Sequence, residues 1–215
     1  MGMIQRLNDM LRRAVYDLFW VATFFGSKIL FFRVDVKGAH HIPQKGAYIV
    51  ASNHVGHLDP YILGIIFPRH MCYMTNPGQF RIPIWGITLS FIETIEGSGF
   101  KAMRQALKRL SEGRIVVFFP EGERVKTGAM RVYKPGVGAS ALWTGAKVIP
   151  VRISGTGAAL DVRTASLRPG SRITVSIGEP VTFDSFFYEG KVAHNAASAT
   201  DIIVEKINAL ALDGA

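Results

Sequence analysis

Residues 47–60 read Ala47-Tyr48-Ile49-Val50-Ala51-Ser52-Asn53-His54-Val55-Gly56-His57-Leu58-Asp59-Pro60, an apolar run that breaks into a polar, glycine-bearing loop and then a proline. A short apolar run bounded by turn or polar residues has the pattern of a strand. A proline suits the first turn of a helix, so a helix is expected over Pro60–Phe67. Strand, loop and helix in that order make one half of a βαβ unit.

The rhythm repeats along the chain. Further strands are expected at Arg33–Lys37, Met71–Thr75, Arg114–Phe119, Lys147–Ser154 and Arg172–Gly178, with Ala47–Ser52 as the second of the series. Helices are expected at Gln79–Leu89, Phe100–Ser111, Pro135–Thr144 and Ala197–Leu212. Within Gly99–Glu112, Phe100, Met103, Leu107 and Leu110 fall on one face while Lys101, Arg104, Lys108 and Arg109 lie elsewhere, the spacing of an amphipathic helix. Alternating strands and helices predict an α/β fold with a mixed, largely parallel sheet flanked by helices. No repeat, linker or low-complexity tract divides residues 33–215, which are read as one domain.

Residues 1–32 form a separate segment. Leu18 to Phe32 is apolar except for Lys28, preceded by Arg6, Arg12 and Arg13 and closed by Arg33. It falls short of the roughly 20 apolar residues that a spanning helix needs, and no small-residue cleavage site follows it. A helical segment lying in the membrane interface, basic residues toward the headgroups, is the expectation. A helix packed on the protein's own core and a re-entrant pair hinged near Gly26-Ser27 are the alternatives.

Hydrophobic residues make up 48% of the 215 and charged residues 19%, which excludes a disordered chain. The 25 Lys and Arg against 16 Asp and Glu leave a net charge of +9, suited to an anionic partner. The basic residues are scattered and no nucleic-acid-binding module is present, so an anionic membrane surface or a phosphorylated substrate fits better than nucleic acid. A single cysteine, Cys72, forms no intrachain disulfide and builds no thiolate metal site alone. The chain suits a reducing compartment, at the cytoplasmic face of a membrane and bound peripherally or monotopically.

Open α/β sheets place their sites at the carboxyl ends of strands. Two such ends carry charged, glycine-bearing loops: Asn53 to Asp59, and Pro120-Glu121-Gly122-Glu123-Arg124 after Arg114–Phe119. His54 is the natural general base, and Asp59 is the acid that would fix its tautomer and stabilise the imidazolium. Five residues is a poor helical spacing for such a pair, so a turn through Gly56 has to close it. The pair then has the form of the His-Asp half of a serine-protease triad, with a substrate hydroxyl in place of the enzyme's serine. Asp59 also reads as a helix cap ahead of Pro60, and Lys134, just before Pro135, gains nothing from a helix dipole.

Asn53-His54 with Asp59, Phe119-Pro120-Glu121-Gly122-x-Arg124, and Val148-Ile149-Pro150-Val151 together resemble the glycerolipid acyltransferase family, the 1-acylglycerol-3-phosphate acyltransferases and their relatives. The resemblance spans Val36 to about Gly178. It implies a catalytic dyad at His54 and Asp59, and acceptor binding around Glu121, Gly122 and Arg124. Lys134 and Gly136 match a basic-glycine element of the family. The donor implied is acyl-CoA or acyl-carrier protein as co-substrate, with no metal or organic cofactor, and the acceptor is a lysophospholipid.

Two departures bear on the acceptor. Glu123 stands where relatives carry threonine, and Phe91-Ile92-Glu93-Thr94-Ile95-Glu96-Gly97 lacks the arginine of the family's second motif. Lys101 and Arg104, at the start of the next helix, are expected to restore the cationic contacts of a phosphate; a less charged headgroup is the alternative. Two readings from other classes stay open: a lipid- or carrier-binding module without catalysis, and a metallo-hydrolase built on His54-x-x-His57-x-Asp59 with further histidines.

Overall fold

The structure, a computed structural model, describes residues 32–75, 94–96, 99–122, 133–161, 166–183 and 192–210, with Ala14 and Leu18 as isolated helical positions. Its strands are β1 (Phe32–Lys37), β2 (Tyr48–Ser52), β3 (Met71–Thr75), β4 (Thr94–Glu96), β5 (Ile115–Phe118), β6 (Lys147–Ser154), β7 (Leu160–Asp161), β8 (Ser166–Leu167) and β9 (Ser171–Ile177). Its helices are α1 (Asp59–Ile66), α2 (Gly99–Ser111), α3 (Gly136–Thr144), the short α4 (Thr156–Ala159) and α5 (Val192–Ala209).

Seven strands form one sheet in the order β1-β9-β6-β2-β5-β3-β4, and β7 and β8 form a small hairpin. β6, β2, β5, β3 and β4 run parallel, while β9 pairs antiparallel to β6 and parallel to β1. The sheet is therefore mixed and largely parallel, as the alternating pattern predicts. All five residues of β2 and all four of β5 are buried, as strands covered on both faces must be.

Alternation along β2 sorts the core. Tyr48 and Val50 join Tyr61, Ile62 and Leu63 of α1 on one face. Ile49 and Ala51 join Ala102, Ala106 and Leu110 of α2, Val137 and Ala141 of α3, and Ile203 and Ile207 of α5 on the other. The carboxyl ends of β2 and its neighbours β5 and β6 thus come together between helical layers, at the edge from which α1 and the β5 loop depart.

The packed face of α2 differs from the predicted one. Ala102, Ala106 and Leu110 are buried, Met103 and Leu107 half-buried, and Phe100 is 80% exposed. Methyl-sized side chains let the helix approach the sheet, and Ser140 Oγ of α3 donates to Met103 Sδ at 3.1 Å. Bulk marked the wrong edge of the apolar stripe.

Pro150 lies inside β6. Its pairing with β2 continues through Ala51↔Pro150, while the antiparallel ladder to β9 starts one residue later at Val151↔Ile177, so the missing N–H falls at the ladder's end. The last helix begins at Val192, ahead of the expected Ala197. The expected Gln79–Leu89 helix lies outside the described residues, as does the interfacial segment 1–32 apart from Ala14, Leu18 and Phe32, the last of these in β1. Among the described residues no helix is long and apolar enough to cross a membrane.

Candidate active site

β2 ends at Ser52, and the next residue anchors the loop. The Asn53 amide donates from Nδ2 to the Ile153 carbonyl at 2.8 Å and accepts from the Ile153 N–H at 2.7 Å. The side chain continues the ladder to β6 where the backbone leaves it, so the exit of the chain toward His54 is fixed. Asn53 is itself buried, so both of its hydrogen bonds are sheltered from water.

The chain then turns through Gly56, whose carbonyl accepts from the Asp59 N–H at 3.3 Å. A Cβ on Gly56 would lie 2.7 Å from Thr156 Oγ1 and 2.8 Å from the Gly157 nitrogen, so only glycine allows the loop to rest on the start of α4. This turn closes the five-residue gap. His54 Nδ1 lies 2.7 Å from Asp59 Oδ2.

Asp59 is the first residue of α1, with Leu58 as the cap, and its carboxylate makes no capping bond to its own helix. The expectation of Asp59 as a helix cap is thereby corrected. Its oxygens point back instead: Oδ2 accepts from the Val55 N–H at 2.8 Å and the Gly56 N–H at 2.9 Å, and Oδ1 from Thr156 Oγ1 at 2.5 Å. Facing two backbone N–H groups and a hydroxyl, this fully buried carboxyl has acceptor roles at both oxygens. It follows that His54 Nδ1 carries the proton and Nε2 the free lone pair, the tautomer a general base requires. The imidazole stacks on Phe119, ring centroids 4.2 Å apart and planes 22° from parallel, which holds its second rotation. It keeps 18% side-chain exposure, enough for a reactant to reach it.

The β5 loop meets the same histidine. The His54 backbone N–H donates to Glu121 Oε1 at 3.1 Å, while Glu121 Oε2 is buried and has no hydrogen-bond partner among the described residues. Burial pushes the Glu121 carboxyl above the ordinary carboxylate range; hydrogen bonds from its own N–H and from that of His54 pull the other way, and the charge of Asp59 pushes it up again. Gly122 adopts φ +67°, and the Lys134 side chain crosses the position its Cβ would take, with Cε and Nζ 2.6 Å from it. The Lys134 N–H donates to the Pro120 carbonyl at 2.8 Å, tying the return of the chain to this loop.

Of the residues singled out in the sequence, His54, Asp59, Glu121, Gly122 and Lys134 are thus assembled at one sheet edge. Lys101 and Arg104 are not. Both are exposed on the face of α2 opposite Ala102, Ala106 and Leu110, with no described contact to the dyad. Arg124 and Glu123 lie outside the described residues. Among the described residues no group of three His, Cys, Asp or Glu side chains is gathered as a metal ion would require. The residues to which sequence reasoning gave no role are Asn53, Phe119 as a stacking partner, and Thr156. The Ser154-Gly155-Thr156-Gly157 end of β6 carries the same signal, a polar glycine-bearing loop at a strand's carboxyl end, that marked the other two.

The acyltransferase family model matches residues 33–154, more than half of the chain. The chain belongs to the acyltransferase family. The match contains both strand-end loops, the dyad and Lys134. Among curated members, the chain is 32% identical over 158 residues to the 1-acyl-sn-glycerol-3-phosphate acyltransferase of Borreliella burgdorferi, covering 70% of this chain and 60% of that one. It is 27% identical over 158 residues to a chloroplastic 1-acyl-sn-glycerol-3-phosphate acyltransferase of Arabidopsis thaliana, covering 70% and 44%. The chain therefore spans about half the length of these relatives. The crystal structure of the 1-acyl-sn-glycerophosphate acyltransferase of Thermotoga maritima has the same fold, with a TM-score of 0.69 at 23% identity over 99% of this chain and 86% of that one.

Proposed function

We propose that this member of the acyltransferase family moves a fatty acyl group from acyl-CoA or acyl-carrier protein to the free hydroxyl of a lysophospholipid, with 1-acylglycerol-3-phosphate as the favoured acceptor. The observation that carries the reading is the His54–Asp59 contact at 2.7 Å, which leaves Nε2 as a bare base at a solvent-reachable ring. Nε2 takes the hydroxyl proton as the oxygen attacks the thioester carbonyl. The carbon–oxygen bond forms, the carbon–sulfur bond breaks, and the imidazolium returns its proton to the leaving thiolate. Asp59 holds the imidazolium charge throughout. His54 moves every proton, so the proposal calls for no metal or organic cofactor.

Lys134 and Arg124 are proposed to bind the acceptor's phosphate, with Glu121 and Gly122 shaping the same loop. An arginine gives two-point contact to a phosphate and a lysine a point charge. The outward placement of Lys101 and Arg104 leaves them out of this set. The reaction is proposed to run at the cytoplasmic face of a membrane, the anionic surface being met by the net charge of +9 and by residues 1–32.

Release of free thiol from acyl-CoA, followed over a panel of lysophospholipids, tests the reading. Thiol release that depends on lysophosphatidate, with phosphatidate as product, is the expected result. Thiol release without any lipid product, or none with any acceptor, would overturn it.

A further inference from the structure

We propose that Thr156 is a positioning residue of the dyad, its hydroxyl holding the Asp59 carboxylate in the orientation that presents Oδ2 to His54. The inference rests on the function proposed above and concerns a residue beyond the matched stretch 33–154.

The two oxygens of Asp59 are served unequally. Oδ2 takes three donors: His54 Nδ1, the Val55 N–H and the Gly56 N–H. Among the described residues Oδ1 has one, Thr156 Oγ1 at 2.5 Å, the length of a hydroxyl bonded to a charged acceptor. Both groups are fully buried, so water does not replace that donor. Without it Oδ1 is a desolvated anionic oxygen, and rotation of the carboxylate toward other donors draws Oδ2 away from His54. Thr156 is rigidly placed to prevent this. It opens α4 with one residue between it and β6, the Asn53 side chain clamps β6 to the dyad loop one residue before β6 ends, and Gly56 rests against Thr156 and Gly157. Threonine also has a β-branched side chain with few rotamers, which keeps the hydroxyl aimed.

The role is separable from mere folding because it acts on proton transfer and not on substrate contact. The test is a series at this position in the full chain, Thr156→Ser, Thr156→Cys, Thr156→Ala and Thr156→Val, with kcat, acceptor KM and Tm measured for each, alongside His54→Ala. A hydrogen bond to a charged group is worth about ten- to a hundred-fold in rate. Ser is expected to keep kcat within about threefold, while Ala and Val lose about ten- to a hundred-fold and Cys falls between, all at a nearly constant acceptor KM. Equal kcat across every folded member, with His54→Ala inactive, overturns the inference and leaves the proposed function standing. Full activity in His54→Ala removes the dyad itself. A fall in kcat that follows Tm, and not the presence of a hydroxyl, would also overturn the positioning role.

Discussion

Two loops at adjacent strand ends differ in how completely the protein satisfies them. In the loop after β2, the amide of Asn53, the Nδ1 of His54, the N–H groups of Val55 and Gly56 and both oxygens of Asp59 all have partners within 3 Å. In the loop after β5, among the described residues, Glu121 Oε2 is buried with no partner, and the Lys134 amine lies over Gly122 with no hydrogen bond or ion pair. A buried polar group left unmatched costs about 1–3 kcal/mol, more when charged, so proteins keep few of them. Among the described residues the first loop is finished before substrate arrives and the second is not. That division suits a catalyst whose proton-moving pair must be preorganised and whose binding loop gains its missing partners from the acceptor.

The sharpest way to break the comparison is to empty the finished loop. His54→Ala removes the base and is expected to lower kcat about 100- to 10,000-fold with Tm nearly unchanged. The imidazole is partly exposed, and its loss strands no backbone group. His57→Ala should be much milder, because the Asp59 oxygens are taken by His54, Val55, Gly56 and Thr156. Steady-state kinetics of both variants decide it, and a larger loss in His57→Ala would move the base.

How much of this was legible in the sequence depends on whether a feature is local. Met71–Thr75 and Lys147–Ser154 have the expected boundaries because each is a largely apolar run between turn residues. The His54–Asp59 pair was legible for a similar reason: Gly56 between them announces the turn. β4, with three residues, and the two-residue strands β7 and β8 are too short to show a period. The buried face of α2 was misread because Ala102 and Ala106 carry little hydrophobic weight, although their small size is what close helix-sheet packing selects. The pairing of Thr156 with Asp59 was missed for another reason. Thr156 lies 97 residues from Asp59, and only the β2–β6 pairing brings the two strand ends together.

The unfinished loop supplies the next effect. Lys134→Ala should raise the acceptor KM for lysophosphatidate about ten-fold or more while changing kcat little, since a charge-assisted contact to phosphate would be lost from bound substrate and transition state alike. Lys101→Ala and Arg104→Ala, on the outward face of α2, should change it by less than about threefold. Initial rates over a range of acceptor concentrations test this. Equal effects at Lys101 and Lys134 would return Lys101 to the phosphate site and require α2 to present a different face when substrate binds.

The smallest effect tests whether the second loop really stores a cost. Burial holds the folded-state pKa of Glu121 above its unfolded value. The sign follows from linkage: between those two values the folded state binds more protons, so stability falls as pH rises through the window and stays lower at neutral pH. Glu121→Gln keeps an oxygen to accept the His54 N–H but cannot ionise. The Tm of the variant relative to the wild type should therefore be lowest in acid, below the unfolded carboxylate value, and climb to a plateau at neutral pH. For a chain of this size about 2–4 °C corresponds to 1 kcal/mol, so thermal unfolding across that range resolves the trend. A variant that loses Tm as pH rises would mean that the Glu121 carboxylate is paired with a cation from residues 123–132, where Arg124 stands nearest in sequence, and the second loop would then be as complete as the first.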